Sequence, residues 1–317
     1  MEKELKLTQA DLQDILHGER FVEEDGKKVL GIGLTSLFLF KDGRTHEKRA
    51  AVRKCIEEFL ELARPHLHWQ TIDKREVDLS KQEPVDLEVS ERNYTEEHTW
   101  SAIYSSGSDP FDASAFQAAF LCRASWQPVG VSYLSIQLPL SYLNPDFIGR
   151  FHRFASILRA TQAYAGVGIL QRPSIGSAAP YETLVYELAQ RYPGLEVFSP
   201  SCTFESLSLK DAMRCINWLT AVGDEFLQSL GKVEDICRGM SQQILVYRYE
   251  GGIVFQAGPK PDLGDGEKKI VSQYYREVAR ALKPVRLQKM MYRFQEGTHG
   301  EPNFDLEDTL RWLARFD

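Results

Sequence analysis

The sequence predicts an α+β fold in which a largely antiparallel sheet packs with helices in a sandwich. Three stretches rich in β-forming residues, 98–106, 115–123 and 129–138, follow one another with only turn signals between them. Strands joined in this way usually pair as an antiparallel meander. Helical patterns are mixed with strands elsewhere in the chain, but a doubly wound parallel sheet would require regular alternation of the two.

The predicted helices have recognisable start and stop signals. One covers 45–64, with apolar residues at helical spacing, and stops at Pro65. Another begins at Asn144, a good N-cap, with Pro145 in the first helical position. Further helices are predicted over 8–17, 180–192, 224–230, 271–282 and 305–316, and strands over 28–40, 66–72, 163–170, 243–249 and 253–257, with 214–221 ambiguous between strand and helix.

The segment 81–97 is the most acidic part of the chain. It has six acidic residues against two basic ones, together with a proline. Such composition is typical of a solvated segment. We therefore predict an exposed connection or edge strand here, and the best candidate for a mobile loop.

Length and charge limit the classes of function. The chain has 317 residues and a formal net charge of −7, and it has no internal repeat or low-complexity linker. We predict one compact unit over 1–317, with two intimately packed halves, 1–128 and 129–317, as the alternative.

The negative net charge disfavours nucleic acid as a direct ligand, because its phosphates attract basic surfaces. A basic protein partner matches the charge better.

The sequence also indicates a cytoplasmic location without membrane contact. The N-terminal residues lack the apolar core of a secretory signal. The most apolar stretch, Leu30–Phe40, is 11 residues long, about half of a membrane span. The five cysteines include no closely spaced pair, which favours reduced, buried thiols over a disulfide framework.

One short segment resembles a nuclease motif. Pro261-Asp262 followed by Glu267-Lys268-Lys269 matches the PD…ExK pattern, in which carboxylates bind a divalent metal. In that pattern the two parts lie on neighbouring strands, whereas only four residues separate them here. A polar loop is the favoured interpretation. A metal-dependent hydrolase that uses Asp262, Asp265 and Glu267 remains the enzymatic alternative.

Other tests for chemistry assign no catalytic, cofactor-binding or metal-binding residue. His66 and His68 have a spacing that metals use, but the sequence provides no clear third ligand. The paired glycines at 31–33 and 166–168 lack the third glycine of a nucleotide-binding fingerprint, and there is no nucleophile elbow. We therefore expect no enzyme activity and no cofactor.

Several short motifs resemble a known family over about 129–286. In chain order these are Val129-Gly-Val-Ser-Tyr133 with Leu138-Pro139, Ala163-Tyr-Ala-Gly166-Val-Gly168, Tyr192-Pro-Gly-Leu195, Asn217-Trp218-Leu219 with Gly223-Asp224, Gln256-Ala-Gly-Pro259 with Pro261 and Leu263-Gly264-Asp265, and Leu282-Lys-Pro-Val-Arg286. Their order and spacing resemble the type VI secretion immunity family that accompanies nuclease effectors of restriction-endonuclease type, including VRR-Nuc toxins. Many of these residues have an equally good structural role, and Trp218 is expected in the core rather than at a contact.

The resemblance implies a bacterial immunity protein that binds a cognate nuclease effector and occludes its active site. An adaptor protein unrelated to toxins is the other non-enzymatic alternative. We expect the contact residues among acidic and aromatic side chains in loops or at helix starts. The candidates are Glu91, Tyr94, Glu96, Glu97, Tyr181, Glu182, Asp262 and Asp265.

Overall fold

One large antiparallel sheet organises the chain. The computed structural model describes residues 21–24, 26–72, 75–127, 130–171, 182–197, 209–288 and 304–317. Within these ranges the sheet has 11 strands. They are β1 (Val22–Glu24), β2 (Lys27–Phe40), β3 (Trp69–Ile72), β4 (Arg75–Asp78), β5 (Trp100–Ser105), β6 (Gln117–Cys122), β7 (Ser132–Leu138), β8 (Gln162–Gln171), β9 (Leu219–Gly223), β10 (Ile244–Tyr249) and β11 (Gly252–Ala257). All their pairings are antiparallel, which confirms the predicted fold class.

The strand order places β2 near the centre of the sheet. The order is β10-β11-β9-β8-β2-β7-β6-β5-β3-β4, and β1 pairs with β2. The predicted meander is confirmed as β5-β6-β7, and the strands predicted over 243–249 and 253–257 are confirmed as the paired strands β10 and β11. Because β2 pairs with both β7 and β8, strands from either side of residue 128 share one sheet. A single unit over 1–317 stays a prediction.

Helices connect or follow these strands, and four of those in the described residues begin at a side-chain cap. In chain order they are α1 (His46–Ala63), α2 (Leu87–Asn93), α3 (Pro145–Leu158), α4 (Glu182–Arg191), α5 (Asp224–Leu230), α6 (Val233–Ile236), α7 (Gln273–Leu282) and α8 (Leu306–Leu313). The predicted cap of α3 is confirmed, since Asn144 Oδ1 accepts a hydrogen bond from the Phe147 N–H at 3.1 Å. Such caps fix where each helix begins.

α1 and α3 pack together beside the centre of the sheet. Phe38 of β2 contacts Phe151 and Phe154 of α3, with ring centroids 5.1 and 5.8 Å apart. Glu58 of α1 accepts a hydrogen bond from Arg150 Nε of α3 at 3.3 Å. Each fully buried phenylalanine contributes about 1.5–3 kcal/mol of stability, so this aromatic packing fixes α3 on the sheet.

The predicted exposed connection over 81–97 is wrong at its centre, where the structure places α2, whereas residues 81–84 and 95–97 are exposed as predicted. Asp86 caps α2: its Oδ1 accepts from the N–H groups of Glu88 at 2.7 Å and Val89 at 3.2 Å. Leu87 then turns inward and is buried. The polar composition of this segment did not indicate a helix, because α2 is short and only one of its faces is buried.

Other predicted elements differ only in extent. The strand over 66–72 is reduced to β3, because residues around Pro65 form a single 3-10 turn. The ambiguous segment 214–221 becomes a strand from Leu219 onwards. The helix predicted over 8–17 lies outside the described residues.

The antiparallel pairing divides the connections between two ends of the sheet. β5 starts where β6 ends, and β9 ends where β11 starts. Following the register across the sheet, the loop before β5 and the loop after β11 lie at opposite ends of the strands. The strands β5 and β11 are also six positions apart in the sheet order.

Candidate functional site

The predicted contact residues do not form one surface. Glu91, Tyr94, Glu96 and Glu97 precede β5, whereas Asp262 and Asp265 follow β11, at the opposite end of the strands. Two candidates add nothing to either group: Glu182 begins α4 but its side chain is not described, and Tyr181 lies outside the described residues. One flat contact therefore cannot include both described groups.

The first group belongs to what we call the acidic corner, defined as α2, residues 94–98 and residues 124–127. α2 turns one face towards the protein interior. Leu87 and Ser90 are buried, and the Ser90 hydroxyl accepts a hydrogen bond from Trp100 Nε1 at 3.0 Å. The start of β5 therefore holds α2 in place.

A buried arginine of α1 fixes the loop 94–98. Arg49 is 1% exposed. Its Nη1 donates to the Tyr94 carbonyl at 2.9 Å and its Nη2 donates to the His98 carbonyl at 2.6 Å. Burial lowers the pKa of Arg49, but a guanidinium keeps its charge in proteins. The charged, planar guanidinium of Arg49 thus holds both ends of the loop.

Glu91 is buried, so its predicted exposure is wrong. It is 6% exposed, and its carboxylate accepts a hydrogen bond from Arg53 Nε at 2.9 Å. Arg53 also binds Glu57 at 2.8 Å, and these two hydrogen bonds, that of Glu91 first, raise the pKa of Arg53. Helical spacing turns Glu91 towards α1, where it positions α2 and is not available to a partner.

An exposed tryptophan that the sequence analysis missed lies at the acidic corner. Trp126 is 67% exposed, the largest value among the exposed large apolar side chains of the described residues. Its indole Nε1 donates to the Glu97 carbonyl at 3.0 Å, and the Ser125 N–H donates to the Glu96 carbonyl at 2.7 Å. The available signal was a tryptophan in the short turn between two predicted strands, where an apolar core position is not expected.

The acidic corner also concentrates the charge of the protein. It contains four acidic side chains, Glu88, Glu91, Glu96 and Glu97, and one basic side chain, Arg92, a net −3 against −7 for the whole chain. Arg44 Nε lies 3.5 Å from Glu96 Oε2 and balances part of this charge. Within the described part of the chain, Glu97 takes part in no ion pair. Its carboxylate is therefore available to a cation of a partner.

The second group belongs to what we call the glycine loop, residues 258–271. Asp262 Oδ1 accepts from the Gly264 N–H at 3.0 Å. Asp265 accepts from the backbone N–H of Lys268 at 3.0 Å and from its Nζ at 2.8 Å, and the Lys268 side chain lowers the pKa of Asp265. The loop contains three acidic and three lysine side chains, so it has no net charge to attract a basic partner.

The glycine loop lacks the geometry of the nuclease motif. Asp262 and Glu267 lie in one connection between β11 and α7 and not on neighbouring strands. Among the described residues, no group of three or more His, Cys, Asp or Glu side chains is arranged to hold a metal ion. The two histidines of the other candidate motif contact protein groups: the ring of His66 stacks on Phe116 at 4.3 Å, and His68 Nδ1 lies 3.2 Å from the Gly107 carbonyl.

A buried polar cluster around Glu196 includes the motif residue Asn217. Glu196 Oε1 accepts from Arg214 Nη1 at 2.8 Å, and its Oε2 accepts from Asn217 Nδ2 at 3.0 Å. Burial alone would raise the pKa of Glu196, but the charges of Arg214 and Arg315 outweigh it and leave the pKa lowered. The cluster fixes the chain before β9 against the segment after α4.

The motif glycines and Trp218 are parts of this scaffold. A Cβ on Gly166 would lie 2.3 Å from Asn217 Oδ1, and one on Gly168 would lie 2.4 Å from Thr35 Oγ1. These two motif glycines therefore have a structural role, since they permit close packing. Trp218 is 1% exposed and donates to the Gly258 carbonyl at 2.9 Å, so its expected core position is confirmed as well.

No helix in the described ranges is both long enough and apolar enough to cross a lipid bilayer.

Comparison with known proteins identifies the family of this chain. A family model described as type VI immunity for VRR-NUC matches residues 51–316, so the similarity begins well before the motifs at 129–286. The structure is similar to that of the Pseudomonas aeruginosa T6SS protein PA0821, with a TM-score of 0.84 and 27% sequence identity over 93% of this chain and 84% of that chain. No curated protein sequence is significantly similar. Because the family model covers most of its length, the chain belongs to the family of type VI immunity proteins for VRR-NUC.

Proposed function

We propose that this chain neutralises a VRR-Nuc effector of a type VI secretion system by binding the effector and occluding its active site. Family membership carries the general part of the proposal. The acidic corner carries the specific part, because it combines a net negative charge with an exposed aromatic side chain on a fixed backbone.

Charge supplies the physical reason for occlusion. A nuclease holds the phosphates of DNA with basic side chains. An acidic protein is steered towards such a groove, and its carboxylates can replace the phosphates there. Inhibition then needs only binding, with no catalysis and no cofactor, and it takes place in the cytoplasm, where the DNA target lies.

The predicted contact residues take different parts in this proposal. Glu96, Glu97 and Tyr94 make contacts with the effector, while Glu91 acts indirectly by holding α2. Asp262 and Asp265 satisfy hydrogen bonds within their own loop, and we place them outside the principal contact. Glu182 and Tyr181 are kept as candidate contacts without a place in either group.

Co-expression with the VRR-Nuc effector encoded beside this chain tests the proposal. We expect the effector alone to stop growth through DNA cleavage, and the chain to restore growth and to co-purify with a catalytically inactive effector. A VRR-Nuc effector from an unrelated system serves as the specificity control and should remain toxic.

Two results would contradict the proposal. Absence of both rescue and binding with the neighbouring effector would favour an adaptor that shares only the fold of the family. Cleavage of DNA by the purified chain with magnesium would favour the hydrolase alternative.

Inhibition of DNA cleavage by the effector in a purified assay, relieved competitively by excess DNA, would support occlusion of the active site over an indirect mechanism.

A further inference from the structure

The acidic corner has the features of a binding site, here called the anchor, for one cationic side chain of a partner. We propose that Trp126 and Glu97 together receive an arginine or lysine of the effector, the cation stacked on the indole ring and paired with the carboxylate. This inference rests on the proposed function and adds the chemistry of the contact and the residue that dominates it.

Exposure of Trp126 is the first observation. A large aromatic side chain at 67% exposure is unusual, because its burial in the core would stabilise the fold. Its chain neighbours, Ser125 and Gln127, are polar, and Ala124, two positions before it, is buried. The ring is therefore an isolated, accessible face and not the edge of the hydrophobic core.

Fixation of the ring is the second observation. The indole Nε1 donates to the Glu97 carbonyl at 3.0 Å, and the turn beside it is closed by Gln127, whose Oε1 accepts from Thr99 Oγ1 at 3.0 Å and from the Ala124 N–H at 3.1 Å. From the interior, Arg49 holds the 94–98 loop. Little side-chain entropy remains to be lost on binding, and this is how preorganised contacts gain affinity.

Charge identifies the occupant. The indole nitrogen donates to the backbone carbonyl of Glu97, and the carboxylate of the same residue has no ion pair among the described residues. A tryptophan face attracts cations more strongly than other aromatic rings do, and the attraction grows when water is excluded. The Glu97 carboxylate belongs to the residue whose carbonyl binds the indole, and a carboxylate gives a cation a charge-assisted hydrogen bond. Neither an anion nor a purely apolar segment satisfies both groups.

Substitution at position 126 tests the anchor. With the inactive effector as the probe, we expect Trp126→Ala to weaken binding by at least about thirty-fold, as at a hot spot. Trp126→Phe keeps an aromatic face and should lose only about three- to tenfold. Leu245→Ala removes another exposed apolar side chain, on the edge strand β10, and should leave the affinity within about threefold.

A spectroscopic measurement separates contact from folding. With fluorotryptophan incorporated only into this chain, the resonance missing in Trp126→Phe identifies Trp126, and its shift between light and heavy water reports exposure. We expect this shift to be large in the free chain and to disappear in the complex. The melting temperature of the free variants should match that of the unsubstituted chain.

The outcomes separate the anchor from the proposed function. If the unsubstituted chain does not bind the effector, both fail. If it binds and Trp126→Ala binds equally well, or if Trp126 stays exposed in the complex, the anchor alone is overturned. A change in the oligomeric state of free Trp126→Ala, with effector affinity unchanged, would assign the surface to a second copy of this chain and would also overturn it.

Discussion

The acidic corner and the glycine loop contain the same kinds of residue but use them differently. In the glycine loop, Asp262 and Asp265 accept hydrogen bonds from their own loop, and Lys268 balances the charge. In the acidic corner, the internal hydrogen bonds of residues 94–98 involve mainly backbone carbonyls, so that the carboxylate of Glu97 and the ring of Trp126 face outwards. Exposed acids indicate a binding surface only after their internal partners have been counted.

The two regions also differ in their relation to the family motifs. Gly194 packs so closely on the glycine loop that a Cβ there would lie 1.9 Å from the Asp262 carbonyl oxygen, and Pro193 accepts a hydrogen bond from the half-buried Arg315. The motif residues 192–195 and 261–265 therefore build this end of the protein. The acidic corner contains none of them, which is the distribution expected if the scaffold is shared and partner recognition varies.

The largest effect on stability is expected at Glu196, within the scaffold. Glu196→Ala leaves the buried Arg214 without its carboxylate, which should reduce the free energy of unfolding by about 3–5 kcal/mol. The melting temperature should fall on the order of 10 °C, while the folded fraction keeps its affinity for the effector. Thermal denaturation and titration below the melting range measure the two separately, with the exposed Glu187→Ala on α4 as the control.

The pH dependence of stability gives a second view of the same residue. Because the pKa of Glu196 is lowered from its ordinary value of 4.5, its contribution is fully present above that value and is lost as the pH falls through the folded-state pKa. The unsubstituted chain should therefore lose more stability on acidification than Glu196→Ala does. Parallel pH profiles for the two proteins would contradict this assignment.

A smaller and mixed effect is expected at Arg49, which connects the scaffold with the acidic corner. Arg49→Met removes the donor from the carbonyls of Tyr94 and His98, and we expect a loss of about 2–4 kcal/mol in the free energy of unfolding. We also expect faster amide exchange in residues 94–98 and weaker effector binding, since the loop is no longer fixed.

The exposed Arg311→Met on α8, which loses only pairs with Glu307 and Asp308, is the matched control for Arg49→Met. Unchanged exchange at 94–98 in Arg49→Met would show that the other contacts of the loop suffice and that Arg49 is not needed to present it.

The fold was more predictable from the sequence than the site, for a physical reason. Periodicity and caps such as Asn144 act locally, so most helices and the meander β5-β6-β7 are visible in the sequence. The burial of Glu91 and the exposure of Trp126 depend on what α1 and the neighbouring turn place beside them. Arg53 and Glu97, their partners in space, are 38 and 29 positions away in the sequence, and no local pattern encodes such pairs.

The smallest effect, and the most direct comparison of the two regions, is expected from reversing one charge in each. Glu97 and Asp262 are both exposed acids in loops, and Glu97→Lys and Asp262→Lys change the net charge equally. If steering depends only on net charge, both variants bind the effector equally slowly. If the acidic corner is the contact, Glu97→Lys lowers the association rate by about tenfold at low salt, and Asp262→Lys by less than about twofold.

Stopped-flow association at two salt concentrations decides between these cases, since added salt should reduce the difference between the variants. A larger defect in Asp262→Lys would move the contact to the glycine loop.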